Sequence, residues 1–214
     1  MLFFRTPFFL PLLYPRLIWR VPTEGKEIYL SFDDGPVAGP TEFVLDELEK
    51  VQGKATFFCV GDNVVKHPQS FKRILSGGHA IGNHTFNHLN GWRHSVEDYV
   101  SNISLCKNEL IRNGSLSGGK LKGLFRPPYG RIRPSQIRAL SEYEIVMWDV
   151  LSFDYSEKVS PQLCLNGAVA ATRRGSIVVF HDSHKSERNL LYALPRYLSH
   201  FSSLGYSFKA IPIQ

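Results

Sequence analysis

Short apolar runs that stop dead at polar, chemistry-bearing residues are the feature that most constrains this chain. The first covers residues 27–32 and ends in Ser31-Phe32-Asp33-Asp34-Gly35-Pro36. Residues 55–60 form a second, flanked by Gly53 and Gly61, and residues 79–82 a third that leads into His84-Thr85-Phe86-Asn87-His88. Leu124-Phe125 runs into Arg126-Pro127-Pro128-Tyr129-Gly130, residues 144–148 into Asp149 and Asp154, and residues 176–180 into His181-Asp182. Runs this short, rich in β-formers and bounded by Gly or Pro, read as buried strands. Between them lie helical patterns, at 41–51 with Thr41 as N-cap, 70–75, 95–111 with Ser95 as N-cap, 135–141, 161–172 and 188–203. Residues 113–122 read as a Gly/Ser/Lys loop and 207–211 as a last strand. Continuous apolar strands alternating with amphipathic helices predict an α/β fold with a helix-covered parallel sheet. In such folds, sites are built at the C-terminal edge of the strands, where every polar cluster here falls.

The chain's 214 residues suffice for one domain. Residues 1–25 read as an extended arm and 26–214 as the domain proper. The arm is apolar, but Pro7, Pro11 and Pro15 break any apolar helix, and it has no clear small-x-small cleavage site. That leaves the compartment open, cytoplasmic or peripheral to the envelope. No stretch is long enough to span a bilayer. So many aromatic residues in the arm give a weak dimer contact or a membrane-surface contact as the sharper reading of it. Net charge is +6, with the basic residues spread out and no nucleic-acid motif, so nucleic acid is not expected as a partner. Cys59, Cys106 and Cys164 lack disulfide or metal spacing and read as small buried apolar residues.

The clusters suggest a common chemistry. His84 and His88, four apart, place both imidazoles on one face if the segment is helical, and a carboxylate from Asp33-Asp34 completes a two-His, one-carboxylate metal site with open positions. The other carboxylate is then free to act as a general base. Arg126 is suited to hold a carboxylate ionised. The double proline stiffens the turn carrying the Tyr129 N–H, a candidate oxyanion donor. His181, at the end of the most apolar strand, is a candidate general acid.

The ordered set S-F-D-D-G-P, H-T-F-N-H, R-P-P-Y-G, F-D-Y and V-F-H-D-S resembles the signature motifs of the polysaccharide deacetylase family, carbohydrate esterase family 4 with its NodB-homology domain. The resemblance runs from about Lys26 to the C-terminus. It implies a distorted, incomplete (β/α) barrel and metal-dependent removal of acetyl groups, N-acetyl above all, from a glycan such as peptidoglycan or an N-acetylglucosamine polymer. It further implies Asp33 as base, Asp34, His84 and His88 as ligands of one divalent metal, and Arg126 as support for the base. Zn²⁺ is the first choice of metal, with Co²⁺ or Ni²⁺ as alternatives. By the same resemblance, Tyr129 and Pro128 shape the substrate site, and Asp154 orients the acid His181. One motif departs. Where the family has Asp-x-x-Asp-Trp, this chain has Leu151, Asp154 and Tyr155. Tyr155 still suits the wall of an acetyl pocket. Asp149 is either a replacement for the missing acid or, the preferred reading, an exposed loop acid. The rival readings are a hydrolase of a small cyclic or linear amide, a non-catalytic glycan-binding domain, and a non-haem iron oxygenase, the last disfavoured by the α/β alternation.

Overall fold

The computed structural model describes residues 2–114 and 123–213. The Gly/Ser/Lys loop expected at 113–122 therefore lies mostly outside the described residues. The elements follow in the order α1 (Phe9–Leu13), β1 (Glu27–Asp33), α2 (Pro40–Lys50), β2 (Thr56–Cys59), α3 (Gly61–Lys66), α4 (Pro68–Ser76), β3 (Ala80–Asn83) and α5 (Val96–Arg112). Then come β4 (Gly123–Phe125), α6 (Pro134–Ala139), β5 (Tyr143–Ile145), β6 (Val150–Leu151), α7 (Pro161–Ala171), β7 (Ile177–His181), α8 (Glu187–Ser203) and β8 (Ser207–Lys209). The strands form one parallel sheet in the order β5-β4-β3-β2-β1-β7-β6, with β8 added beside the start of β1. This is the incomplete (β/α) barrel expected from the sequence.

Strand periodicity sorts the side chains into two faces. Ile28, Leu30 and Phe32 of β1, Phe57 and Cys59 of β2, and Val178 and Phe180 of β7 belong to the core shared with the helices. Phe32 stacks on Phe57 at 5.2 Å and on Phe180 at 6.3 Å between ring centroids. The alternate residues, among them Tyr29, Phe58, Leu124, Val146 and Ile177, form a second cluster on the inner face. Ser31, Asp33, Val179 and His181 share that inner parity on β1 and β7. Both faces are buried, which is why the strands read as continuous apolar runs rather than alternating ones.

Residues 2–25 pair with both ends of the sheet path. Arg5 bridges Val150 of β6, Ile18 bridges Val146 just after β5, and Arg20 bridges Ser176. The Arg5 guanidinium also donates to the Ala171 carbonyl at the end of α7. The arm thus covers edges that would otherwise present unpaired backbone groups. Contrary to the expectation from its prolines, it contains the short helix α1 with Pro11 inside. Pro11 sits in the first turn, where its missing N–H would have had no intrahelical partner. Phe3, Phe8, Leu12 and Leu13 are exposed. The structure assigns that face no partner, and the dimer or membrane-surface contact expected of the arm gains no support from it.

Two other local readings change. Thr41 does not cap α2, whose N-cap is Gly39; its hydroxyl accepts from Val37 N–H and donates to the buried Asp182. Asp149 is not an exposed acid. It is buried, accepts from Arg173 Nη2 and Nε at 3.1 and 3.2 Å and from Ser176 Oγ at 2.6 Å, so it ties β6 to the start of β7.

The inner face depends on one glycine. A Cβ on Gly82 would lie 2.3 Å from the Phe58 ring, and that ring underlies the Arg126 guanidinium at 4.1 Å. Gly82→Ala therefore has to displace a close-packed ring. We expect a stability loss of about 1–3 kcal/mol, measured by urea unfolding, together with a fall in activity as Arg126 loses its platform.

Candidate active site

The strand tips bring the motif residues to one pocket of about 540 Å³. Asp33, Asp34, His84, His88, Tyr129, Tyr155 and His181 line it, with Pro127 from the double-proline turn. Pro128 is buried beneath that turn.

Asp33 and Asp34 are adjacent in sequence but are sorted into different environments. Asp33 closes β1 with its side chain on the inner face, 4% exposed, and its Oδ1 accepts from Arg126 Nη1 at 2.7 Å. Arg126 is fully buried. Its Nη1 also donates to Ser31 Oγ, Nε to the Val146 carbonyl and Nη2 to the Met147 carbonyl. Every edge of the guanidinium fork is thereby occupied, which is the condition for keeping a charge inside a protein. Asp34 follows with φ +80° and turns out of the strand toward the two histidines. Its Oδ1 lies 3.1 Å from His88 Nε2 and 3.7 Å from His84 Nε2. Burial works against its charge, but the contact with His88 and the neighbouring imidazoles of His181 and His84 outweigh that as the carboxyl titrates and hold it well below the usual range.

The histidine pair does not stand on a helix, in contrast to the simplest reading of its spacing. Residues 84–88 form a loop in which Thr85 and His88 have φ of +64° and +54°. Two asparagines outside the motif and Thr85 within it hold this loop. Asn102 Oδ1 on α5 accepts from the Phe86 and Asn87 N–H groups, Asn83 Oδ1 from Thr85 N–H, and Thr85 Oγ1 from Leu89 N–H.

The donor set fits a divalent cation. Ligand atoms of Asp34, His84 and His88 lie within 4.8 Å of one another. His84 Nδ1 is 2.8 Å from the Arg126 carbonyl, an acceptor, so this nitrogen carries the proton and Nε2 keeps its lone pair facing Asp34. Burial pushes the His84 pKa down to about 4, which keeps the ring neutral as a ligand must be. His88 Nδ1 lies 3.1 Å from the Tyr129 hydroxyl, and a proton there leaves its Nε2 free in the same way. Two nitrogens and one carboxylate oxygen suit Zn²⁺.

On the opposite wall, His181 Nδ1 lies 2.7 Å from Asp154 Oδ1, while Asp154 Oδ2 accepts from the His181 backbone N–H. Ser152 Oγ also donates to Asp154, and Asn189 holds the Asp154 carbonyl. Burial disfavours the imidazolium, but the charge and hydrogen bond of Asp154, with help from Asp34 and Asp33, raise the His181 pKa to about 9. Tyr155 packs edge-on against His181 at 4.9 Å, and Leu151 and Val179 line the same wall. The Tyr129 turn closes through Gly130 N–H to Pro127 and Arg131 N–H to Pro128, bonds that do not use the Tyr129 N–H.

Several supporting residues escaped the sequence reading. Ser31 is hidden by strand alternation and Asn102 by helical spacing; only the inner-face parity of Ser31 with Asp33 gave a signal. Asp182 accepts from the Gly35 N–H at 3.1 Å and lies where any Gly35 side chain would stand. It thereby fixes the loop behind the two carboxylates.

Arg126 has one structural task that can be measured apart from chemistry. Arg126→Met leaves Asp33 buried without its partner. The expected cost is about 3–5 kcal/mol in chemical denaturation at neutral pH, and Asp33→Asn in that background should recover part of it.

Comparison with known proteins matches this arrangement. The family model described as "Polysaccharide deacetylase" matches residues 20–148. A peptidoglycan-N-acetylglucosamine deacetylase of Bacillus cereus is 34% identical over 204 residues, covering 90% of each chain. The peptidoglycan-N-acetylmuramic acid deacetylase PdaC of Bacillus subtilis is 30% identical over 166 residues, 78% of this chain and 34% of that one. The solved structure of the Bc1960 peptidoglycan N-acetylglucosamine deacetylase, in complex with 4-naphthalen-1-yl-N-oxidanyl-benzamide, superposes with a TM-score of 0.85 at 31% identity, covering 97% of this chain and 95% of that one. The chain belongs to the polysaccharide deacetylase family, carbohydrate esterase family 4.

Proposed function

We propose that this deacetylase removes N-acetyl groups from a peptidoglycan-type glycan, with Asp33 as base, His181 as acid, and Asp34, His84 and His88 as the ligands of one divalent cation, Zn²⁺ first. The observation that carries the reading is the division of labour between adjacent carboxylates. Asp33 is tied to a buried arginine, and Asp34 is turned to two imidazoles. When bound, the cation supplies Lewis-acid polarisation of the acetyl carbonyl and of water.

The protein's own groups supply the rest. Asp33 accepts a proton from the water that adds to the acetyl carbonyl carbon. Arg126 holds Asp33 in place through Oδ1, at the pocket that Asp33 lines. The Tyr129 N–H donates to the carbonyl oxygen as negative charge develops there. His181 delivers a proton from Nε2 to the sugar nitrogen, the C–N bond breaks, and acetate and the free amine leave. Asp154 holds that proton on His181 and fixes the ring. Leu151, Val179 and Tyr155 offer an apolar wall to the acetyl methyl group. The choice of glycan is supported by the peptidoglycan deacetylases to which the chain is similar.

Acetate release from peptidoglycan and from N-acetylglucosamine oligomers tests the reading. Chelation should abolish release, and Zn²⁺ or Co²⁺ should restore it; release that survives exhaustive chelation would remove the cation from the account.

The raised pKa of His181 sets a second expectation. An acid with a raised pKa stays protonated through neutral pH and loses its proton as pH climbs toward about 9, so activity should fall on the alkaline side. Asp154→Asn removes the largest stabiliser of the imidazolium. The alkaline limb of kcat/KM should then move to lower pH, and an unmoved limb would assign it to another group.

A further inference from the structure

The pocket carries two cations that belong to none of the motif roles. Arg131 follows the Pro128–Gly130 turn after β4, and Lys185 stands in the turn after β7. Both line the pocket beside Asp33, Asp34 and His181. Each is held by its surroundings. Arg131 N–H donates to the Pro128 carbonyl, and its guanidinium lies 5.0 Å over the Trp92 ring. Next to Lys185, Ser186 Oγ donates to the His181 carbonyl at 2.6 Å, and Lys185 Nζ sits 5.7 Å from the Tyr155 ring.

Their charges are not spent within the protein. Among the described residues neither Arg131 nor Lys185 forms an ion pair with a carboxylate. The acids of the pocket are already engaged, Asp33 by Arg126 and Asp34 by His84 and His88. Leu151, at the position where the family motif has an Asp, contributes an apolar surface instead of a negative charge. A concave site with cations on its wall and no free anion concentrates negatively charged ligands. An arginine steadied by stacking also presents a fork that matches a carboxylate.

We propose that the Arg131–Lys185 pair selects glycans that carry a carboxylate on, or next to, the sugar being deacetylated, over neutral N-acetylated polymers. The proposal rests on the deacetylase reading above and concerns only its choice of substrate. Within peptidoglycan the carboxylate has two sources, the lactyl group of a muramic acid freed of its peptide, and the peptide itself.

The test compares kcat/KM for acetate release on three preparations. They are glycan strands stripped of peptide, the same stripped strands with their carboxylates amidated, and peptide-bearing strands. At low salt, stripped strands or peptide-bearing strands should exceed the amidated ones by about tenfold, a Coulombic preference of the size two exposed cations supply at close range. Whichever is faster identifies the source of the carboxylate. The preference should shrink in 0.5 M salt, and in Arg131→Gln and Lys185→Gln the ratio of charged to amidated substrate should fall toward one. Equal rates on charged and amidated strands, or a ratio unchanged in both variants, would overturn the proposal and leave the deacetylase reading standing. Absence of acetate release from every glycan would overturn the deacetylase reading and this proposal with it.

Discussion

The buried ion pair between Arg126 and Asp33 is the interaction on which the rest of this molecule depends. A guanidinium with no solvent exposure can stay charged only if its donors are met, and here they are met by Asp33, Ser31 and the Val146 and Met147 carbonyls. Those partners come from β1, inside the sheet, and from the chain just after β5, at its edge. The pair therefore works as a crossbar inside the half-barrel as well as a support for a reactive carboxylate. Phe58 and the missing side chain of Gly82 give it a floor. Such a pair adds little net stability over an apolar filling, since desolvation consumes much of its Coulombic gain. What it does provide is a carboxylate held in one position.

From this crossbar the site follows by strand geometry. Asp33 points inward because it shares parity with Ser31 and Tyr29. Asp34 leaves the strand at φ +80° and meets the histidine loop. The Arg126 carbonyl in turn orients His84 through Nδ1, so one residue serves both carboxylate and ligand. His181 ends β7 in register with Asp33 across the β1–β7 pairing, which sets the proposed acid and the proposed base on neighbouring strand tips. Their surroundings differ. Asp154 raises the affinity of His181 for its proton, and Arg126 pairs with one oxygen of Asp33.

Much of this was legible in the sequence, for definite reasons. Buried parallel strands are short apolar runs, and their C-terminal tips hold the polar residues, so the α/β class and the site's location could both be read from the order of the motifs. Side chains that act through another group were harder to see. Asn102 looks like any polar residue on a long helix, yet it holds the histidine loop through two backbone donors. Asp182 looked like part of a His-Asp motif, and its carboxylate braces Gly35 instead. Asp149 read as exposed because loop acids commonly are; its arginine partner is 24 residues away, beyond any local pattern. The condition that His84 and His88 stand on a helix is not met, because side-chain hydrogen bonds, not an i to i+4 backbone ladder, hold their loop.

The proposed division of labour between the neighbouring carboxylates can be read out through cation affinity. Calorimetric titration of Zn²⁺ into chelated Asp33→Asn and Asp34→Asn proteins, alongside acetate release, separates the two roles. The account predicts that Asp33→Asn binds Zn²⁺ about as tightly as the unaltered protein yet releases no acetate, and that Asp34→Asn loses most of its affinity. Equal loss of Zn²⁺ affinity in both variants, or acetate release retained in Asp33→Asn, would contradict it.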